Sequence, residues 1–218
     1  MLKPQIPVAK EGYPFIGYAV FITLIFALFG QSFLTVIALI CSTFIICFFR
    51  DPERFVPQNE NAIVSPADGK IILIENVTDD RFTEGEALKV SIFMNVFNVH
   101  VNRVPFNGTV EKIIYVPGKF YSADSKNAEL KNEYCATILT TDNGKKLAYV
   151  QIAGLIARRI ICWHEKGDIA VKGRRFGLIR FGSRVDLFLP PETSLIVERG
   201  QKVSAGETTI GYLEYTIR

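Results

Sequence analysis

The sequence is short of the residues from which metal and redox sites are built. It holds two histidines and four cysteines. Cys41, Cys47, Cys135 and Cys162 form no CxxC pair, which argues against a zinc knuckle or a thioredoxin-like motif. Free thiols in apolar surroundings behave as small buried hydrophobes, so no metal site and no oxidising compartment are expected. An excess of one charge is missing too. Lys and Arg number 25 against 22 Asp and Glu, and the resulting +3 is too little to argue for nucleic acid. A mildly basic body still suits an anionic membrane surface. No small-residue cleavage site follows the apolar N-terminus, so a secretory signal peptide fits poorly.

What is present is a long apolar run. Hydrophobic residues make up 49% of the chain, and the excess lies in the first fifty positions. Residues 13–49 are almost uncharged and break at Gly30-Gln31-Ser32, giving halves of roughly 17 residues, at the lower limit for a bilayer-spanning helix. A tight transmembrane hairpin and an interfacial pair entering one leaflet both fit. Lys3 and Lys10 precede the run, and Arg50 and Arg54 follow it. Positive flanks place both ends on the cytoplasmic side. The expected organisation is a membrane-associated helical hairpin over 1–50 and a cytoplasmic domain over 51–218.

The body alternates short β-type runs with turn signals, and Asp142-Asn143-Gly144 reads as a hairpin turn. Two late segments, from Lys166-Gly167 to Gly173 and from Arg199-Gly200 to Gly206, share the pattern [KR]-G-x-x-x-x-x-G. Glycine-punctuated hairpins of this kind recur in small sandwiches and barrels. The expected fold is mainly β (α+β): a barrel- or sandwich-like domain resembling lipoyl carriers, preceded by the hairpin.

Three stretches bear on chemistry. Ser65-Pro66-Ala67-Asp68-Gly69-Lys70 reads first as a turn. In 94–105, strict alternation predicts a strand with Asn98, His100 and Asn102 on one face and Val99, Val101 and Arg103 on the other. Such a polar face suits the lining of a pocket, and a solvent-facing strand is the plain alternative. In 178–190, Gly182-Ser183 interrupts a strand pattern between Arg180 and Arg184, where a bulge is the ordinary reading. Asp, His and Ser are the parts of a base-assisted nucleophile. Ser183 lacks a G-x-S-x-G elbow, which disfavours a standard serine hydrolase. A serine after glycine has an unobstructed approach to its own preceding carbonyl. The second histidine, His164, reads as an exposed turn residue.

Four motifs occur in order: FFRDPER (48–54), VSPADGK (64–70), MNVFNVHVNRVP (94–105) and RFGSRVD (180–186). Together they resemble the short, membrane-associated phosphatidylserine decarboxylase proenzymes over nearly the whole chain. The resemblance implies self-cleavage between Gly182 and Ser183 into a large chain, 1–182, and a small chain, 183–218. It implies a pyruvoyl cofactor formed from Ser183, with Asp68 and His100 assisting. The implied reaction is decarboxylation of phosphatidylserine to phosphatidylethanolamine at the cell membrane, and a homodimer is a reasonable assembly. The wider family carries a second histidine three residues after the first; here that position is Arg103, so His100 is expected to serve both cleavage and decarboxylation. An imidazole titrating near about 6.5 suits both roles. Arg103, Lys119 and Arg184 are candidate partners for the anionic head group. Two alternatives stay open. One is the same chemistry on another serine phospholipid, such as archaetidylserine. The other is a non-catalytic, membrane-tethered lipoyl-like carrier, which would need a modifiable lysine where this chain has Gly-Ser-Arg.

Overall fold

A computed structural model describes residues 7–118, 132–154, 159–180 and 183–214. The chain divides into two compact units, Met1–Glu53 and Arg54–Arg218.

The first unit is a helical hairpin. Helix α1 (Tyr13–Leu28) starts with a proline in its first turn, where the missing N–H is no loss, and α2 (Ser32–Phe48) returns after the break at Gly30. Neither helix has a polar stripe, and α1 buries no residue. Thr23 Oγ1 and Ser42 Oγ meet across the pair at 3.0 Å, the kind of contact that joins helices in lipid. The open end is tied by Ala9 N–H to Phe49 O and Asp51 N–H to Pro7 O, both 2.8 Å. Stretched at 1.5 Å per residue, the helices reach about 24–26 Å, near the lower limit for crossing a bilayer.

The second unit is almost all strand: β1 (Ala62–Val64), β2 (Gly69–Asp79), β3 (Gly85–Met94), β4 (Val101–Arg103), β5 (Gly108–Val116), β6 (Tyr134–Thr140), β7 (Lys146–Ala153), β8 (Ile160–Cys162), β9 (Ile169–Ala170), β10 (Arg175–Ile179), β11 (Ser183–Leu189), β12 (Ser194–Leu195), β13 (Lys202–Val203) and β14 (Thr209–Tyr212). Eight of them form a curled sheet in the order β13-β2-β3-β11-β7-β6-β5-β9. Two small sheets, β4-β10-β8 and β1-β14-β12, complete the unit. The concave core takes alternate residues such as Ile92, Met94, Tyr149, Val185 and Leu187. A smaller cluster around Phe82, Ala148, Val150 and Phe188 covers the other face. Strand β11 is therefore buried on both faces, as its unbroken burial shows. The expected 142–144 turn joins β6 to β7, with Thr141 N–H bonded to Lys145 O at 2.9 Å.

The glycine repeat has a structural cause. Gly167, Gly173, Gly200 and Gly206 all have positive φ, between 74° and 96°, which side chains rarely tolerate. The two segments also make matching bonds. Gly167 N–H reaches Val110 O and Gly173 N–H reaches Val104 O; Gly200 N–H reaches Ile71 O and Gly206 N–H reaches Ser65 O. The partner segments, 65–71 and 104–110, contain corresponding Pro-x-(Asp/Asn)-Gly sequences, Pro66 to Gly69 and Pro105 to Gly108. The sheet order has the same symmetry, with β11 and β7 at its centre.

One expectation about 94–105 is corrected. The strand is not continuous. Residues 95–98 form a turn in which Asn98 N–H bonds Asn95 O at 3.0 Å, and only Val101–Arg103 is strand. The asparagine side chains compete with the ladder by capping backbone N–H groups, which overrides the alternation.

Candidate active site

Ser183 is the first residue of β11 and is fully buried. It pairs with Met94 of β3 on one side and Ala153 of β7 on the other. Its Oγ–H donates to Met94 Sδ at 3.2 Å, a weak acceptor that holds the hydroxyl loosely. Asn102 Nδ2 approaches the same sulfur at 3.7 Å, and Gln151 Nε2 donates to Asn102 Oδ1 at 2.9 Å. Gln151 Oε1 is buried without a hydrogen-bond partner among the described residues. Gly177 of β10 leaves room for this amide; a Cβ there would lie 2.8 Å from Gln151 Nε2.

His100 is also fully buried and sits just before β4. Its carbonyl accepts Ile179 N–H at 3.3 Å, which joins it to the chain four residues before Ser183. Its Nδ1 lies 2.9 Å from Asn98 O. A carbonyl only accepts, so Nδ1 donates, and in the neutral ring Nε2 is the basic nitrogen.

Asp68 stands apart from this set. Arg54 Nη2 donates to both its oxygens, at 3.0 and 2.8 Å, and Ala205 N–H donates to Oδ1 at 2.7 Å. Among the described residues, no hydrogen bond links the Asp68 carboxylate to His100 or Ser183. Part of its work is repeated elsewhere: Asn107 Oδ1 accepts Lys172 N–H at 2.8 Å at the corresponding place of the second repeat. Asp68 differs in its charge and in Arg54, which also reaches Glu207 at 2.9 Å. Burial works to raise the Glu207 carboxyl. The Arg54 hydrogen bond, the Phe55 N–H, and the Arg54 and Arg103 charges outweigh it and hold the group below its ordinary value. FFRDPER thus contributes a clamp between VSPADGK and the C-terminal segment, a role invisible in the sequence.

The anion-binding candidates differ in their surroundings. Arg103 is buried, donates Nη1 to Gly173 O at 2.9 Å, and lies beside Gly206. Arg184 is buried on the convex side, where Nε and Nη2 grip Asp186 at 2.6 and 2.7 Å and Nη2 reaches Ser91 at 3.0 Å. That pairing with Asp186 makes Arg184 part of the sheet's internal ion network. Lys119 and Gly182 lie outside the described residues. His164 is not the exposed turn residue expected. It is half-buried, with Nδ1 3.1 Å from the Tyr149 hydroxyl and its ring against Phe176. Burial pushes its imidazole below the ordinary value, against the opposing pull of Asp168.

Comparison with known proteins identifies the family. The family described as phosphatidylserine decarboxylase matches residues 41–211. A phosphatidylserine decarboxylase proenzyme of Desulfotalea psychrophila is 62% identical over 213 residues, covering 98% of this chain and 100% of the relative. A proenzyme of the same name from Syntrophus aciditrophicus is 50% identical over 206 residues, 94% of this chain and 96% of that one. One from Geotalea uraniireducens is 47% identical over 213 residues, with 98% and 100% covered. With its serine at the head of a central buried strand and relatives matched from end to end, the chain belongs to the phosphatidylserine decarboxylase family.

Proposed function

We propose that this chain is a membrane-associated phosphatidylserine decarboxylase that makes its own prosthetic group from Ser183. The observation that carries the reading is the placement of Ser183, buried at the start of β11 with His100 joined to the segment just before it. In maturation, His100 Nε2 takes the Ser183 Oγ proton and Oγ adds to the Gly182 carbonyl carbon. The Gly182–Ser183 C–N bond breaks and the amine leaves protonated, so an amide becomes an ester. Loss of the Ser183 Cα proton then expels the Gly182 carboxylate from Cβ. Water replaces the nitrogen of the resulting dehydroalanine, ammonia departs, and a pyruvoyl group heads the chain 183–218.

The residues present fit such a group. Its strand neighbours, Met94 and Ala153, are uncharged, so a small neutral keto group meets no opposing charge there, and Gln151 Oε1, without a partner among the described residues, is an acceptor for the substrate's amine rather than for the group itself. Once formed, the pyruvoyl carbonyl supplies an electron sink for loss of a carboxylate next to an amine. His100, its Nδ1 fixed by Asn98 O, then delivers a proton from Nε2 to the carbon that has lost carbon dioxide. Asp68 acts at a remove. With Arg54 it holds the 65–69 turn, whose Pro66 carbonyl accepts Arg103 N–H at 2.9 Å and so supports β4. The hairpin enters the membrane with its positively flanked ends, and the β unit, on the cytoplasmic face.

The test is direct. The full chain in vesicles holding carboxyl-labelled phosphatidylserine should release labelled carbon dioxide and form phosphatidylethanolamine. Ser183→Ala should remain one uncut chain and release none; a Ser183→Ala chain that stays active overturns the reading.

A further inference from the structure

We propose that the turn at 95–98 is a bilayer-docking element whose Phe97 side chain enters the lipid surface at the rim of the site. The inference rests on the lipid-decarboxylase reading, because that substrate is itself part of a bilayer. Phe97 is 72% exposed. A lone exposed apolar residue is ordinary, but the construction around this one is not. Asn98 N–H bonds Asn95 O at 3.0 Å, Asn95 N–H bonds Asn98 Oδ1 at 2.9 Å, and Phe97 N–H bonds Asn95 Oδ1 at 2.9 Å. These donors are satisfied within the turn, which is what a backbone needs before it enters a medium poor in water. The two asparagines are uncharged, so no ionised group in the turn opposes insertion.

The turn adjoins the site along the chain. On one side it follows Met94, whose sulfur accepts the Ser183 hydroxyl. On the other it leads to His100, whose Nδ1 is held by the carbonyl of Asn98 in the turn itself. Ser183 and His100 are both fully buried, and the turn carrying exposed Phe97 is the stretch of surface chain that connects Met94 to His100. A phenyl ring anchored at the acyl–head-group boundary would hold that rim against the bilayer, as interfacial aromatics do.

Two measurements test this on the full chain. In a Trp163→Phe background, which removes the one native tryptophan, Phe97→Trp fluorescence should be quenched by vesicles of acyl-brominated phosphatidylcholine. Separately, Phe97→Ser should slow decarboxylation of long-chain phosphatidylserine in vesicles roughly tenfold, the scale of one lost phenyl burial. Short-chain phosphatidylserine, dispersed as monomers, should react at the parent rate. Absence of quenching, equal losses on both substrates, or no loss on vesicles overturns the inference. If the parent protein decarboxylates neither lipid, the lipid-decarboxylase reading fails, while the quenching result still decides whether the turn meets the bilayer.

Discussion

The Ser183 hydroxyl donates to a thioether, and the imidazole of His100 keeps Nε2 as its basic nitrogen. Both features favour a nucleophile awaiting its base. Replacing His100 by Ala is therefore expected to slow self-cleavage by about 10²–10⁴-fold, the usual worth of a positioned general base; a time course of chain cleavage on denaturing gels measures it. Asn102→Ala should leave the Gln151 amide unpaired at both ends and cost about 1–3 kcal/mol in urea unfolding. Ser183 and His100 were legible as candidates because a Gly-Ser pair in a strand and a histidine among asparagines are local signals. Met94 and Gln151 were not. They reach the serine's surroundings through strand register, which pairs position 94 with 183 and position 151 with 185, and no local pattern announces such pairings.

The repeated β segments divide the role of Asp68 into two parts. The cap on Ala205 N–H has its counterpart at Asn107, so an amide can perform it. Asp68→Asn should keep the turn, lose the ion pair with Arg54 and cost about 1–3 kcal/mol. Arg54→Ala removes the guanidinium that pairs with both Asp68 and Glu207 and should cost more, about 2–4 kcal/mol, between an exposed and a buried pair. Urea midpoints at neutral pH rank the two. The clamp also has an acid limit. The folded Glu207 carboxyl titrates below its ordinary value of 4.5, so its contribution to stability is complete above about that pH and disappears as pH falls through the lower folded value. Glu207→Gln should flatten that part of the stability–pH curve. The glycine half of each repeat was readable because positive φ demands glycine. The Pro-x-(Asp/Asn)-Gly half was not, since four positions with two variable residues match by chance. Alternation failed at 95–98 because asparagine side chains turned the backbone there.

The strand pairing of the β unit predicts that a break before Ser183 would not release the small chain. That chain would supply the central strand β11, bound to β3 and β7, and strands in both remaining partnerships, β13 on β2 and β14 on β1. The cut chains are expected to co-elute in size-exclusion chromatography and to separate only in denaturant; separation under native conditions contradicts this. The fold class was legible from short β-type runs and the apolar hairpin from its lack of charge. The central claim is that Ser183 becomes the cofactor, and intact-mass analysis of the purified, unlabelled protein tests it most directly. Two chains are expected, the smaller starting at position 183 with an amine-free, pyruvoyl terminus. A single uncut chain after exposure to lipid, or a small chain beginning with an ordinary serine amine, contradicts it.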